Sequence, residues 1–117
     1  MMIPVILESP FAGDVEGNLI YLRACMRDSL LRGEAPFASH GLYTQPGVLR
    51  DEVPEERTHG IEAGFAWREV AHKTVFYVDR GWSRGMEYGY QHAQKLGHTI
   101  EVRTLEASAP EPLPEEV

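Results

Sequence analysis

Residues 73–97 read KTVFYVDRGWSRGMEYGYQHAQKLG, and three changes of pattern within them set the fold. Residues 74–78 form an unbroken apolar run, the composition of a strand covered on both faces. The next stretch, DRGWSRG, places glycines at 81 and 85 and a serine at 83, a tight loop that opens a helix. The helix then runs over residues 84–96, and Gly97 stops it. A further strand, HTIEVR, follows at 98–103. A buried strand passing through a turn and a helix into another strand is the repeating unit of a parallel sheet.

The same alternation continues upstream. Residues 3–7, IPVIL, are a short apolar run that ends in the turn-rich ESPFAGD. From about Glu16 the spacing becomes helical: Leu19, Leu22, Met26 and Leu30 recur on one face, Arg23, Arg27 and Asp28 fall on others, and Gly33 stands at the capping position. EAPFAS at 34–39 reads as a second strand. The segment 40–57, HGLYTQPGVLRDEVPEER, is long for a connection in a small domain, and long connections are more often functional than filler. Pro54 opens the next helix, with Glu55 and Glu56 suited to its positive end. That helix extends to about Val70, with Ile61, Phe65, Trp67 and Val70 as apolar positions and Gly60 and Gly64 as weak points. The pattern predicts an α/β fold over residues 1–105: a small Rossmann- or flavodoxin-like parallel sheet of about four or five strands with helices on both faces. The tail 106–117, EASAPEPLPEEV, is acidic and proline-rich and is expected to be disordered.

Composition narrows the partners. The chain has 117 residues and a net charge of −7, from 11 Lys+Arg against 18 Asp+Glu. That balance argues against binding long nucleic acid, which needs broad basic surface, but leaves small phosphorylated ligands open. One cysteine, Cys25, excludes an internal disulfide framework and is compatible with a reducing cytoplasm. No apolar run approaches the length of a membrane span and no signal-peptide pattern precedes the first strand, so a cytoplasmic protein without membrane contact is expected.

In parallel sheets of this kind ligands bind at the carboxyl ends of the strands, where three loops converge. After the third strand, Gly81 and Gly85 allow positive φ or close approach, and Ser83 and Arg84 can help the helix start hold an anion. Glu87, one turn in, either complements the helix dipole or projects into the same site. Asp79 is either a strand-end residue or a second acid. After the first strand, Ser9 can bond to a sugar or phosphate beside Gly13, and Phe11 either stacks on a base or lids the core; Asp14 reads as an N-cap. After the second, His40 and Tyr43 can stack on or hydrogen-bond to a nucleobase, though a lone histidine is often structural. Arg57 either helps close the site or an oligomer interface, or lies on a solvated helix face. His59, His72, His92 and His98 show no metal-ligand spacing, so no metal and no cofactor is expected.

The segment GMEYGYQHAQKLG at 85–97 resembles the Gly-Met-Glu-Leu-Gly-Tyr-Ala motif of nucleoside 2-deoxyribosyltransferases and the related segment of 2-deoxynucleoside 5-monophosphate N-hydrolases. Gly85, Met86, Glu87, Gly89 and Tyr90 match, with Tyr88 in place of an aliphatic. VILESPFAG at 5–13 is similar to that superfamily's opening strand and Ala-Ser-Pro-Phe loop, with Glu8 where a small residue is common. The middle of the chain is closer to small phage and bacterial members. The resemblance implies cleavage of an N-glycosidic bond, or deoxyribosyl transfer, on a nucleoside or nucleoside 5-monophosphate, with Glu87 as the nucleophile and Asp79 as candidate for the acid that protonates the base. It also implies a homodimer or larger homo-oligomer. Chemically, a carboxylate can stabilise or trap an oxocarbenium-like sugar, and a second acid can protonate the departing base. A non-catalytic nucleotide-binding module on the same fold is the alternative.

Overall fold

The computed structural model describes residues 1–105; the predicted disordered tail lies outside them. The strands are β1 (Ile3–Glu8), β2 (Glu34–Phe37), β3 (Lys73–Tyr77) and β4 (Thr99–Arg103), and the helices are α1 (Val15–Leu31), α2 (Ser39–Leu42), α3 (Pro54–Arg68) and α4 (Arg84–Leu96). The four strands form one sheet in the order β2-β1-β3-β4. Every pairing is parallel, with Val5 opposite both Pro36 and Lys73, and Val75 opposite Glu101. This is the small α/β fold expected.

Register sorts the side chains into two faces, because paired residues in a sheet point the same way. Val5, Leu7, Val75 and Tyr77 share one face and pack with Tyr21, Leu22 and Cys25 of α1 to form the main apolar core. Ile6, Glu8, Thr74 and Phe76 point to the other, the side of α3 and α4, where Phe65 and Arg68 of α3 meet His92 of α4. The α1 layer is mainly apolar, with the Glu34–Arg103 pair at its edge, whereas the other layer is built around the buried Arg68.

Several local expectations change. The segment 40–57 is not wholly irregular, since Ser39–Leu42 forms the single helical turn α2. Gly64 does not weaken α3: a β-carbon there would overlap the Ser39 side chain, so glycine is what allows α2 to seat against the helix. Helix α3 ends at Arg68. Its buried stripe also differs from the apolar pattern, because Trp67 and Val70 are exposed and Arg68 is only 1% exposed. On α1, Leu30 is exposed and Asp28 is buried, accepting a hydrogen bond of 2.6 Å from the Tyr77 hydroxyl. Asp14 caps α1 as anticipated, accepting from the Gly17 amide at 3.1 Å.

Candidate functional site

A cavity lies at the carboxyl ends of β1 and β2, between α2, α3 and the first turn of α4. Ser9 and Phe11 line it from the loop after β1, His40 and Tyr43 from α2 and its end, and Ser83, Arg84 and Gly85 from the start of α4. The expected convergence of three loops therefore takes place.

Helix α4 is positioned by both ends of its entry loop. Gly81 turns the loop with φ of 86°. Trp82 then packs 5.1 Å from Phe76 and edge-on to Tyr90 at 5.6 Å. Ser83 caps the helix, its Oγ accepting from the Met86 amide at 3.2 Å. The Ser83 oxygen thus first serves the helix, while the Arg84 and Gly85 amides have no acceptor within it, as the geometry of a helix start requires.

The cavity also holds residues that the sequence did not single out. Glu8, the last residue of β1, and Arg68, at the end of α3, both line it and form an ion pair in which Arg68 Nη2 donates to Glu8 Oε2. The guanidinium is fixed on its other sides: Nε donates to Thr74 Oγ1 at 3.0 Å, and Nη1 lies 3.0 Å from His92 Nδ1. Thr74 in turn lies 2.9 Å from His98 Nδ1, whose other ring nitrogen is 2.8 Å from the Ala71 carbonyl. His92 stacks on Phe65 with ring centres 3.9 Å apart, and burial, then Arg68, lowers its proton affinity, so it serves as a neutral acceptor. Burial pushes the Glu8 carboxyl up to about 7, against the charge and hydrogen bond of Arg68.

His40 and Ser9 are coupled, with Ser9 Oγ 2.8 Å from His40 Nε2. Burial holds His40 down to about 4, so the ring is neutral at physiological pH. Arg57 lies on the cavity wall rather than on a solvated helix face; its Nη1 donates to both Asp51 carboxylate oxygens at 3.1 and 3.2 Å.

Gly13, Asp79 and Glu87 are not on the cavity wall. Gly13 is an exposed turn residue with φ of 95°. Asp79 accepts from the Tyr21 hydroxyl at 2.5 Å and from the Leu105 amide at 3.0 Å, so its carboxylate ties the loop after β3 to α1 and to the chain beyond β4. Glu87 is exposed. It follows Gly85 by two residues, which turns it roughly 200° about the helix axis from that cavity position. Cys25 is fully buried, and its thiol is pushed up to about 12, chiefly by burial, which removes its nucleophilic character at neutral pH.

Arg68 could have been found from the helical spacing Ile61, Phe65, Arg68, which puts a cation in line with two apolar residues. Glu8 carried its own signal, an acid ending an otherwise apolar strand. Among the described residues no cluster of three or more His, Cys, Asp and Glu side chains is placed to hold a metal ion, and no helix is long and apolar enough to cross a membrane.

The fold and cavity define a small parallel α/β protein with a mainly apolar, arginine-containing site at its strand ends. By sequence the chain belongs to the family described as Domain of unknown function (DUF7768), whose model matches residues 3–103. No curated protein and no solved structure matches it.

Proposed function

We propose that the cavity binds a nucleoside or nucleoside 5-monophosphate and that the protein cleaves its N-glycosidic bond, passing the sugar to water or to a second base. One observation carries the reading. The loop ESPF after β1 and the first turn of the helix bearing GMEYGY, far apart in sequence, line a single cavity. Its chemistry suits such a ligand: Phe11 and Tyr43 offer aromatic faces for a base, and Arg57 and Arg84 offer charge for a phosphate. The resemblance gives Glu87 the nucleophile's place.

The experiment is a chromatographic screen for free base released from the common deoxynucleosides, their 5-monophosphates and modified-base analogues. Release from at least one substrate is expected, and Glu87→Gln should abolish it while the fold persists. Absence of release across the whole panel overturns the catalytic reading. The exposure of Glu87 away from the cavity wall favours a second reading, a module that binds the nucleotide without turning it over. Thermal stabilisation by a nucleotide, with no product and no effect of Glu87→Gln, is its signature.

A further inference from the structure

A carboxyl group of the cavity wall lies on β1, beneath α4. Glu8 ends the strand that lies between β2 and β3, and its side chain is 17% exposed, opening into the cavity. Helix α4 makes room for it. Gly89 is buried against the sheet, and a β-carbon at that position would overlap Oε2 of Glu8. Any other residue at 89 displaces the carboxyl from where it sits. Arg68 grips Oε2 from the far side and is itself fixed by Thr74 and His92, while Oε1 accepts no hydrogen bond from the described residues. One oxygen is anchored and the other is left for a ligand.

We propose that Glu8 is the acid–base residue of the cavity, the group that donates a proton to the departing base; this rests on the N-glycosidase reading above. As the bond between sugar C1 and the base nitrogen breaks, its electron pair stays with the base, which takes the Glu8 proton, and C1 bonds to the Glu87 carboxylate through an oxocarbenium-like state. Water then adds its oxygen to C1, the C1–O bond to Glu87 breaks with its electron pair staying on the Glu87 carboxylate, and the water returns a proton to the Glu8 carboxylate, which restores the acid. A residue in this role must exchange protons near neutrality, and burial lifts the Glu8 carboxyl to about 7. Arg68 from α3 faces it, with His92 of α4 behind the guanidinium, and neutral His40 beside Ser9 lines the same cavity. The Arg57–Asp51 pair, Glu56 and Arg84 supply the remaining charge of the wall. Asp79, bound to Tyr21 and Leu105, is not in a position to compete for the role.

The test is kcat and KM for base release as a function of pH in the full chain, for wild type, Glu8→Gln and Gly89→Ala. Glu8→Gln should lower kcat by about 100-fold or more, the scale of general acid–base catalysis, with KM little changed and the limb near pH 7 gone from the profile. Gly89→Ala leaves Glu8 in the chain but pushes its carboxyl out of place. It should lose kcat in the same way while circular dichroism shows a folded protein, and it keeps the proposal testable if Glu8→Gln does not fold. Wild-type kcat and an unchanged pH profile in either folded variant overturn the role of Glu8 and leave the N-glycosidase reading standing. Absence of release by wild type from every substrate overturns both.

Discussion

Glu34 and Glu8 are both drawn into the protein at the sheet, but on opposite faces and with opposite consequences. Glu34 begins β2 on the α1 side. Arg103 donates to both of its oxygens, at 2.9 and 2.5 Å, Ser29 donates at 2.7 Å, and the Lys73 ammonium lies 3.1 Å away. Burial alone would raise its proton affinity, but the bonds from Arg103, Ser29 and Lys73 outweigh it and hold the carboxyl at about 2. Glu8 ends β1 on the α3 and α4 side with Arg68 as its one ionic partner among the described residues, and there desolvation wins. A buried acid given donors on every side is locked in its charged form and does structural service. One given a single cation beside a cavity keeps a proton within reach of neutral pH.

The largest effect that sharpens this contrast is on stability. Glu34→Ala leaves Arg103, 6% exposed, without its main counter-charge. Breaking a buried pair in this way costs about 3–5 kcal/mol, to be read from the urea midpoint at neutral pH. Glu8→Gln should behave differently. The amide oxygen can still accept from Arg68 and resembles the protonated acid, but the buried guanidinium loses its counter-charge, so the change should be smaller than for Glu34→Ala, about 1–3 kcal/mol. Equal losses in the two variants would break the distinction.

The pH dependence separates the same two groups with opposite signs. Glu34 has a folded value of about 2 against an ordinary 4.5, so its contribution is present above pH 4.5 and is lost as pH falls towards 2. For Glu8 the folded value of about 7 lies above the ordinary 4.5, so the folded chain binds the extra proton and its contribution declines as pH rises from 4.5 to 7. His40, held down to about 4 from an ordinary 6.5, contributes a slope of the opposite sign over much of that range, so urea titrations should tilt upward with pH in Glu8→Gln relative to wild type. Glu34→Gln should instead remove part of the acid-side loss below pH 4.5 and leave the slope below pH 7 in place.

The same contrast explains which parts of the molecule can be read from sequence. The strands at 3–8 and 73–77 and the helix stopped by Gly97 are visible because local composition and turn chemistry determine them. The loops that reach the cavity follow from parallel topology, which is why Ser9, His40 and Ser83 could be placed there. Asp28 could not be read in this way, and Arg68 only from its helical spacing with Ile61 and Phe65. Hydropathy assigns a charged residue to the surface, and what buries these two is a partner distant in sequence: Glu8 for Arg68, Tyr77 for Asp28. Trp67 and Val70 show the converse, apolar residues left exposed because the end of α3 turns the arginine inward. Asp79 and Glu87 were legible as acids near the right loop, but the direction of a side chain depends on helical phase and on Tyr21 and Leu105.

The smallest effect concerns Glu87. Its exposure in the first turn of α4 makes it a partner for the helix N-terminus whatever else it does. Glu87→Gln should cost about 0.3–1 kcal/mol at low ionic strength. Most of that loss should vanish at about 1 M salt, where the Debye length shrinks to roughly 3 Å. The salt dependence is what distinguishes Glu87 from Glu8, whose carboxyl is shielded between Gly89 and Arg68. A loss for Glu87→Gln that persists in high salt would mean that its carboxylate makes a close, desolvated contact, and so would remove the contrast between an acid in solvent on the outer flank of α4 and an acid beneath its inner one.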